Sequence, residues 1–372
     1  MEKFKGWMIR DTFNHRICAG GLRIQPGLTK DKLIEMARNM TLKMRVNKIR
    51  VDGAKCGIDY DPTAIGKSAA LNRFMKAISP YIKSDYSMGP DLNVEMQELE
   101  TIANKLGLSS VKIAIAAAQG WDHSYFLERS KILNCPINNR TLGTLRAGYG
   151  LAAATLAVLD ILHLDLPEAR IAVQGFGTIA KAAASAISAK GGKIIAFSDL
   201  NRCIQSINNK GLNLEKLLQT KGTLLPEPPS LDVLESDKDG IFNLSCDVFI
   251  LAAVEQAVTL KNAHKLQVRA IIPGANLAIS AEADTFLSER GILVIPDFIA
   301  GSGGSVSMEG LYGPEEHPTA QQVLDHIDHK IKGLVQLVIL TSRNNKITPT
   351  QAALRLCAEN IYDPDARPYS IP

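Results

Sequence analysis

The sequence predicts an α/β protein of two domains, the second built on a doubly wound parallel sheet. Three observations carry this. A chain of 372 residues exceeds one simple core and suits two. From Ala152 onward helix and strand signals alternate: "AAATLAVLDIL", "RIAVQGFG", "TIAKAAASAISAK", "KIIAFSD", then "DVFILAA", "RAIIPGA" and "ILVIPD". Short apolar strands separated by helices build parallel sheets, because each crossover needs a helix to return the chain. The residues before about 140 lack this alternation, so they form a separate domain.

The first domain, residues 1–140, opens with two strand-like stretches, "FKGWMIRDTF" and "ICAGGLRI", joined by "NHR". From Thr29 to Val46, Leu33, Ala37, Met40 and Met44 recur as one helical face, and Thr29 suits the N-cap after Pro26-Gly27. A second helix is expected from Val94 to Leu106, ended by Gly107. The second domain spans 141–334, with a partly irregular excursion at 205–242. Helices resume after "GPEEHP", where Thr319 and Gln322 fit a capping box. Residues 335–372 are expected to pack back on the first domain.

Composition narrows the function. Hydrophobic residues make 46% and charged residues 22%, which is ordinary globular usage, not disorder. A net charge of +4 without a long basic run gives no nucleic-acid footprint. The six cysteines are scattered, with no CxxC and no Cys/His cluster. This predicts reduced thiols in a cytoplasmic protein and no metal site. No apolar signal core starts the chain, and no apolar run is expected to reach membrane-spanning length.

"RIAVQGFGTIAKAAA" carries Gly175-x-Gly177-x-x-Ala180 between an apolar strand and an alanine-rich helix. The first glycine permits the tight turn and the second lets a pyrophosphate approach the helix N-terminus. Ala180 keeps helix and strand close. Asp199, 24 residues after Gly175, stands where a carboxylate accepts the adenosine ribose hydroxyls. These features predict a Rossmann site for NAD, with candidate cofactor residues Gly175, Phe176, Gly177, Thr178, Ile179, Asp199, Leu200, Ala252, Ala253 and Asn276. Arg202, three residues after Asp199, could accommodate a 2′-phosphate, which leaves NADP open.

"GGLR", "MTLK", "GAKCGI", "GPDLNV", "AVQGFG", "SDLN", "PGANLAIS", "ERGILVIPD" and "GSGG" occur in this order along most of the chain. Together they resemble the glutamate/leucine/phenylalanine/valine dehydrogenase superfamily. The resemblance implies a substrate domain followed by a Rossmann domain, and NAD(P)-dependent interconversion of an L-amino acid with its 2-oxo acid and ammonia. It implies that Lys43 binds the substrate α-carboxylate and that Lys55 and Asp91 are catalytic. Ala19, Gly20, Gly21, Asn276 and Ser307 are implied substrate contacts, Asn276 on the nicotinamide side. A buried lysine with a lowered pKa can activate water and steady an oxyanion, and a carboxylate can shuttle protons to and from an amine. In isolation each residue has a plainer reading: Lys43 as a snorkelling lysine, Lys55 as a solvated loop lysine, Asp91 as a helix cap.

The chain departs from the family around these residues. Ala19 stands where glutamate-using members carry a lysine, so the substrate is expected not to be glutamate unless another cation such as Arg50 substitutes. Asp52 replaces a usual glycine. Beside Lys55 it would oppose a lowered lysine pKa, or it could bind a cationic substrate group, or simply face water from a turn. Ala147 stands near a nicotinamide-binding threonine of the family, with Thr144 or Thr141 as replacements. Pro273 is unusual before "GAN". The N-terminal extension of the glutamate enzymes is not seen, so a homodimer is expected in place of a hexamer. Two alternatives stay open: a catalytically weak paralogue acting as a sensor or partner subunit, and a biosynthetic imine reductase.

Overall fold

The computed structural model describes residues 3–227, 232–358 and 362–371. Two compact units result. One comprises Met1–Lys131, Tyr312–His317 and Cys357–Pro372; the other comprises Ile132–Leu311 and Pro318–Leu356.

The first unit holds strands β1 (Lys5–Arg10), β2 (Cys18–Ile24), β3 (Asp52–Asp59) and β4 (Tyr86–Pro90). Its helices are α1 (Lys30–Val46), α2 (Lys67–Ser84), α3 (Met96–Lys105), α4 (Ala114–Gln119) and α5 (His123–Ser130). The sheet order is β1-β3-β2-β4, antiparallel between β1 and β3 and parallel elsewhere. The two strands flanking "NHR" therefore do not pair with each other, because β3 lies between them. Cys18, Leu22, Ile24, Cys56, Ile58, Tyr86 and Met88 pack on one side with Leu71, Met75, Ile78 and Ile82 of α2. Leu28, Leu33 and Met36 cluster with Trp7 and Ile9. Thr29 caps α1, its hydroxyl accepting from the Lys32 amide at 3.3 Å.

The helix lies directly on β3 at Gly53. A Cβ there would sit 2.2 Å from the Thr41 nitrogen and 2.4 Å from the Ala37 oxygen, so only glycine permits the crossing. Late segments of the chain also join this unit. Buried Gln119 donates to the carbonyls of Tyr312 (2.8 Å) and Tyr369 (3.0 Å). Fully buried Arg129 donates to the Tyr125 hydroxyl at 2.9 Å and the Pro314 carbonyl at 2.5 Å.

The second unit contains a short ladder of β5 (Pro136–Ile137) and β6 (Arg140–Thr141), then a seven-stranded sheet. Its strands are β7 (Ile171–Gln174), β8 (Ile194–Ser198), β9 (Arg202–Ser206), β10 (Val233–Asp237), β11 (Val248–Leu251), β12 (Ala270–Pro273) and β13 (Leu293–Val294). The order is β10-β9-β8-β7-β11-β12-β13. The five strands from β8 to β13 are parallel, and β9 and β10 add an antiparallel ribbon at the edge. The 205–242 excursion is thus anchored to the sheet by the 233–237 strand.

Helices α6 (Leu142–Ile161) and α7 (Thr178–Ala189) lead, followed by α8 (Leu214–Gln219), α9 (Leu260–Ala263), α10 (Ala281–Glu289) and α11 (Asp297–Ala300). The series ends with α12 (Gly303–Tyr312), α13 (Ala320–Asn345) and α14 (Pro349–Cys357). Against expectation, α6 is long and apolar enough to cross a bilayer, but 72% of its most apolar stretch is buried among its neighbours. It starts ten residues before the expected "AAATLAVLDIL", at a Thr141 N-cap. The Thr319–Gln322 capping box opens α13. That helix buries Ile327, Ile331, Leu334, Val335 and Val338 along one stripe and packs on α6. Residues 335–356 consequently belong with the second unit, contrary to the expected return to the first; Cys357–Pro372 belong with the first.

Candidate active site

Three strands of the first unit bring three charged side chains together. Lys55 of β3 is 3% exposed, and its Nζ lies 2.8 Å from Oδ2 of Asp91. Arg23 of β2 donates through Nε to the same oxygen at 2.9 Å. Strand parity explains the convergence. Ala19, Gly21 and Arg23 alternate onto one face of β2, and Ala19 pairs with Gly53, which shares a face with Lys55. The backbone of Asp91 follows β4 and donates to the Leu22 carbonyl at 3.0 Å, which fixes the carboxylate beside that face. A Cβ at Gly21 would lie 2.9 Å from the Asp91 Cβ and 3.6 Å from Lys55 Nζ, so this glycine leaves the gap in which the pair meets. Burial alone would raise the Asp91 carboxyl. Lys55 and Arg23 overcome that and hold it well below the ordinary carboxylate range.

The plain reading of Asp91 as a helix cap fails, because Glu95 caps α3 with Glu98 completing the box. Lys55 is likewise no solvated loop lysine: "DGAKCGID" is a strand buried along nearly its whole length. Lys43 is 6% exposed in the last turn of α1. It stands two residues beyond Thr41, which rests on Gly53, and Lys55 stands two residues beyond Gly53. Ala19 is half-buried on the Lys55 face and brings no charge there. At Gly20 a Cβ would meet the Ala54 oxygen at 1.7 Å, so strand packing requires glycine there.

Asp52 is also corrected. It is 1% exposed, and three positions of separation put it on the strand face opposite Lys55. Its oxygens accept from Arg10 Nη2 (2.7 Å), the Thr12 hydroxyl (2.6 Å) and the amides of Asn14 and His15 (3.2 Å each). It organises the 10–15 turn; it neither faces water nor stands against Lys55. Arg10 also bridges to Asp85 at 2.6 Å. Arg50 precedes β3, and its amide donates to the Pro368 carbonyl at 3.2 Å.

In the second unit, Gly175 takes φ +100°, which a side chain would strain. A Cβ there would meet the Ala252 oxygen at 2.7 Å, so the turn after β7 lies against the end of β11. Gly177 caps α7, and a Cβ there would meet nothing within 4 Å, which leaves open space at the helix N-terminus. Thr178 and Ile179 are exposed beside it, and Ala180 is fully buried. Phe176 is buried edge-on to Phe197 (5.3 Å between centroids), so its ring is a core element. Ala253 and Leu200 are exposed, and Ala252 is half-buried, its amide donating to the Gln174 carbonyl at 2.9 Å.

Asp199 directly follows β8. One oxygen accepts from the amides of Asn201 (2.7 Å) and Arg202 (2.9 Å), the other from Leu225 (2.5 Å). Burial would raise this carboxyl, but the three amides hold it below its usual range. Asn276 is half-buried after β12, where the Gly274 and Ala275 amides donate to the Leu251 carbonyl at 2.7 and 3.0 Å. Pro273 closes β12. Thr141 and Thr144 form the N-terminal capping box of α6, so the proposed replacements for a threonine at Ala147 are committed to the helix end. Ser307 is fully buried; it accepts from Arg146 Nη1 (2.9 Å) and donates to the Gly304 carbonyl (2.7 Å). Its hydroxyl therefore ties α12 to α6.

Sequence reasoning missed Arg23 and Leu225. The parity of Arg23 with Gly21 and Ala19 was a usable signal. Leu225 acts through a backbone amide and left none.

Residues 143–366 match the Glutamate/Leucine/Phenylalanine/Valine dehydrogenase model, and residues 1–107 match the Glu/Leu/Phe/Val dehydrogenase dimerisation domain. Glutamate dehydrogenase of Thermotoga maritima is 28% identical over 82% of this chain and 71% of its own length. NADP-specific glutamate dehydrogenase of Saccharolobus shibatae is 27% identical over 82% and 70%. The fold resembles hetero-hexameric glutamate dehydrogenase from Thermus thermophilus, with TM-score 0.76 and 24% identity over 96% of this chain and 83% of that one. The two family models between them match residues 1–107 and 143–366, and the chain belongs to the glutamate/leucine/phenylalanine/valine dehydrogenase family.

Proposed function

We propose that this protein is an NAD(P)-dependent dehydrogenase of a neutral L-amino acid, producing the 2-oxo acid and ammonia. The observation that carries the reading is the cluster of buried Lys55 and Arg23 on partly exposed Asp91, on the face that also holds uncharged Ala19. The second unit fits a dinucleotide. Gly175 makes the turn, Gly177 leaves room at the α7 N-terminus, and Asp199 directly follows the next strand. When bound, the dinucleotide accepts the hydride from Cα.

The first unit's residues do the rest. Lys43 pairs with the substrate carboxylate. Asp91 takes the proton that leaves the amine. Lys55 steadies the oxygen of the water that adds to the resulting iminium carbon, and one water proton passes to the nitrogen. The C–N bond then breaks, the departing ammonia takes the remaining hydroxyl proton as ammonium, the carbonyl forms, and Asp91 gives the amine proton to solvent. Ala19 offers no cation to a side-chain carboxylate, whereas a charge-assisted bond there would contribute about 1.5–3 kcal/mol. Assembly as a homo-oligomer, a dimer at least, is part of the same reading; the match of residues 1–107 to a dimerisation domain supports it.

Nicotinamide absorbance across a panel of amino acids, and of oxo acids with ammonia, tests the proposal. Turnover should be highest for a neutral amino acid, and Ala19→Lys should shift preference toward glutamate by about tenfold or more. Glutamate as the best wild-type substrate would refute the assignment to Ala19. Absence of turnover with NADH binding retained would favour a sensor or partner subunit.

A further inference from the structure

Residues 220–227 form a strap over the end of β8, held at three points. Lys181 of α7 is 5% exposed, and its Nζ donates to the carbonyls of Thr220 and Gly222, each at 2.7 Å. The same ammonium lies 4.3 Å from the centre of the Phe176 ring. The Leu225 amide donates to Asp199 Oδ2 at 2.5 Å. Arg202 Nη2 donates to the carbonyls of Leu225 (3.1 Å) and Pro226 (2.6 Å).

Arg202 is also held from the other side. Its Nη1 lies 2.9 Å from Glu235 Oε2. Glu235 is two residues from Asp237, the register partner of Arg202, and so shares its face of the β9–β10 ribbon. Glu227 adds a longer contact at 3.8 Å. The cation that could take an adenosine 2′-phosphate is thus turned to a carboxylate and two carbonyls. Meanwhile three amides fix Asp199 as an oriented, negatively charged acceptor.

We propose that Glu235 and Lys181 are positioning residues that select a dinucleotide with a free 2′-hydroxyl, Glu235 by withdrawing Arg202 and Lys181 by pinning the strap whose Leu225 amide orients Asp199. This rests on the reading of Gly175–Ile179 and Asp199 as a dinucleotide site. A ribose hydroxyl can donate to Asp199 beside the amides already there. A 2′-phosphate meets the carboxylate with no cation released to balance it.

Equilibrium titration of the whole protein with NADH and with NADPH, read by nicotinamide fluorescence, tests this without turnover. Wild type should bind NADH about tenfold or more tighter than NADPH. Glu235→Gln, at a half-exposed edge position, should tighten NADPH binding by on the order of tenfold and leave NADH unchanged. Adding Arg202→Ala to that variant should remove the gain. Lys181→Met should weaken NADH, and Lys181→Arg should restore it, with far-ultraviolet circular dichroism showing that both fold. Equal affinity for the two dinucleotides in wild type, or no NADPH response to Glu235→Gln, overturns the selection mechanism while leaving the dinucleotide site standing. If Lys181→Met does not fold, the two titrations of Glu235→Gln decide the matter alone. Binding of neither dinucleotide overturns the site and the selection together.

Discussion

Asp91 shows how one carboxylate is kept ready among buried neighbours. Its depressed pKa means that its ionised form stabilises the fold above the unfolded carboxylate range near 3.9. That contribution disappears as pH falls through the lower folded value. Arg23→Met removes one of the two cations responsible, so the Asp91 carboxyl should titrate at higher pH. Carbon-13 carboxyl NMR against pH would show this, and an unchanged titration would mean that Lys55 alone sets the value. Asp52 makes the opposite point. Asp52→Ala should destabilise by about 3–5 kcal/mol, since it strips Arg10 of a buried partner. Urea unfolding checks this, and the ratio of rates among amino-acid substrates should not move. Lys43, Lys55 and Asp91 stood out by motif order in the sequence, and the structure pairs Lys55 with Asp91. The direction of Asp52 was not, because "VDGAK" has the composition of a turn and parity matters only once a strand is known.

At the scale of elements, what the sequence showed was ends and faces. Thr29 and Thr319 cap the helices expected of them, because a hydroxyl placed before an apolar-periodic run has one local job. Strand β3 escaped notice since Asp52, Gly53 and Lys55 mask a segment buried on both sides. Its neighbours decide its structure, and Gly53 is the joint. Gly53→Ala should separate α1 from β3 and cost about 1–3 kcal/mol or more, measurable as a lower urea midpoint. Because Lys43 lies in the last turn of that helix, the KM for the amino acid should rise as well. A variant with wild-type stability would show that the helix can slide without loss. The long α13 illustrates the other limit. Its start was visible in the Thr319–Gln322 capping box, but nothing local says which unit receives it, and packing on α6 decides.

The molecule as a whole divides its work between two units with separate sheets and cores. The parallel sheet of the second was legible because alternation of strand and helix is a long-range pattern. The mixed sheet of the first was not, since its order places β3 between β1 and β2. Hydrogen exchange along the chain should reflect the division. NADH should slow exchange at Gly175–Ile179 and around Leu225, whereas the amino-acid substrate should protect β2 and β3 near Gly21 and Lys55. Protection in the reverse pattern would mean that the two ligands have been assigned to the wrong units.

On the proposed function, Lys55, paired with Asp91, carries the chemistry of an amino-acid dehydrogenase. Initial rates of nicotinamide reduction by the best neutral amino acid, for wild type and Lys55→Met with NADH affinity measured in parallel, test it most directly. For Lys55→Met, kcat should fall by roughly 10²–10⁴-fold with NADH affinity unchanged. A Lys55→Met protein that turns over at the wild-type rate would contradict it.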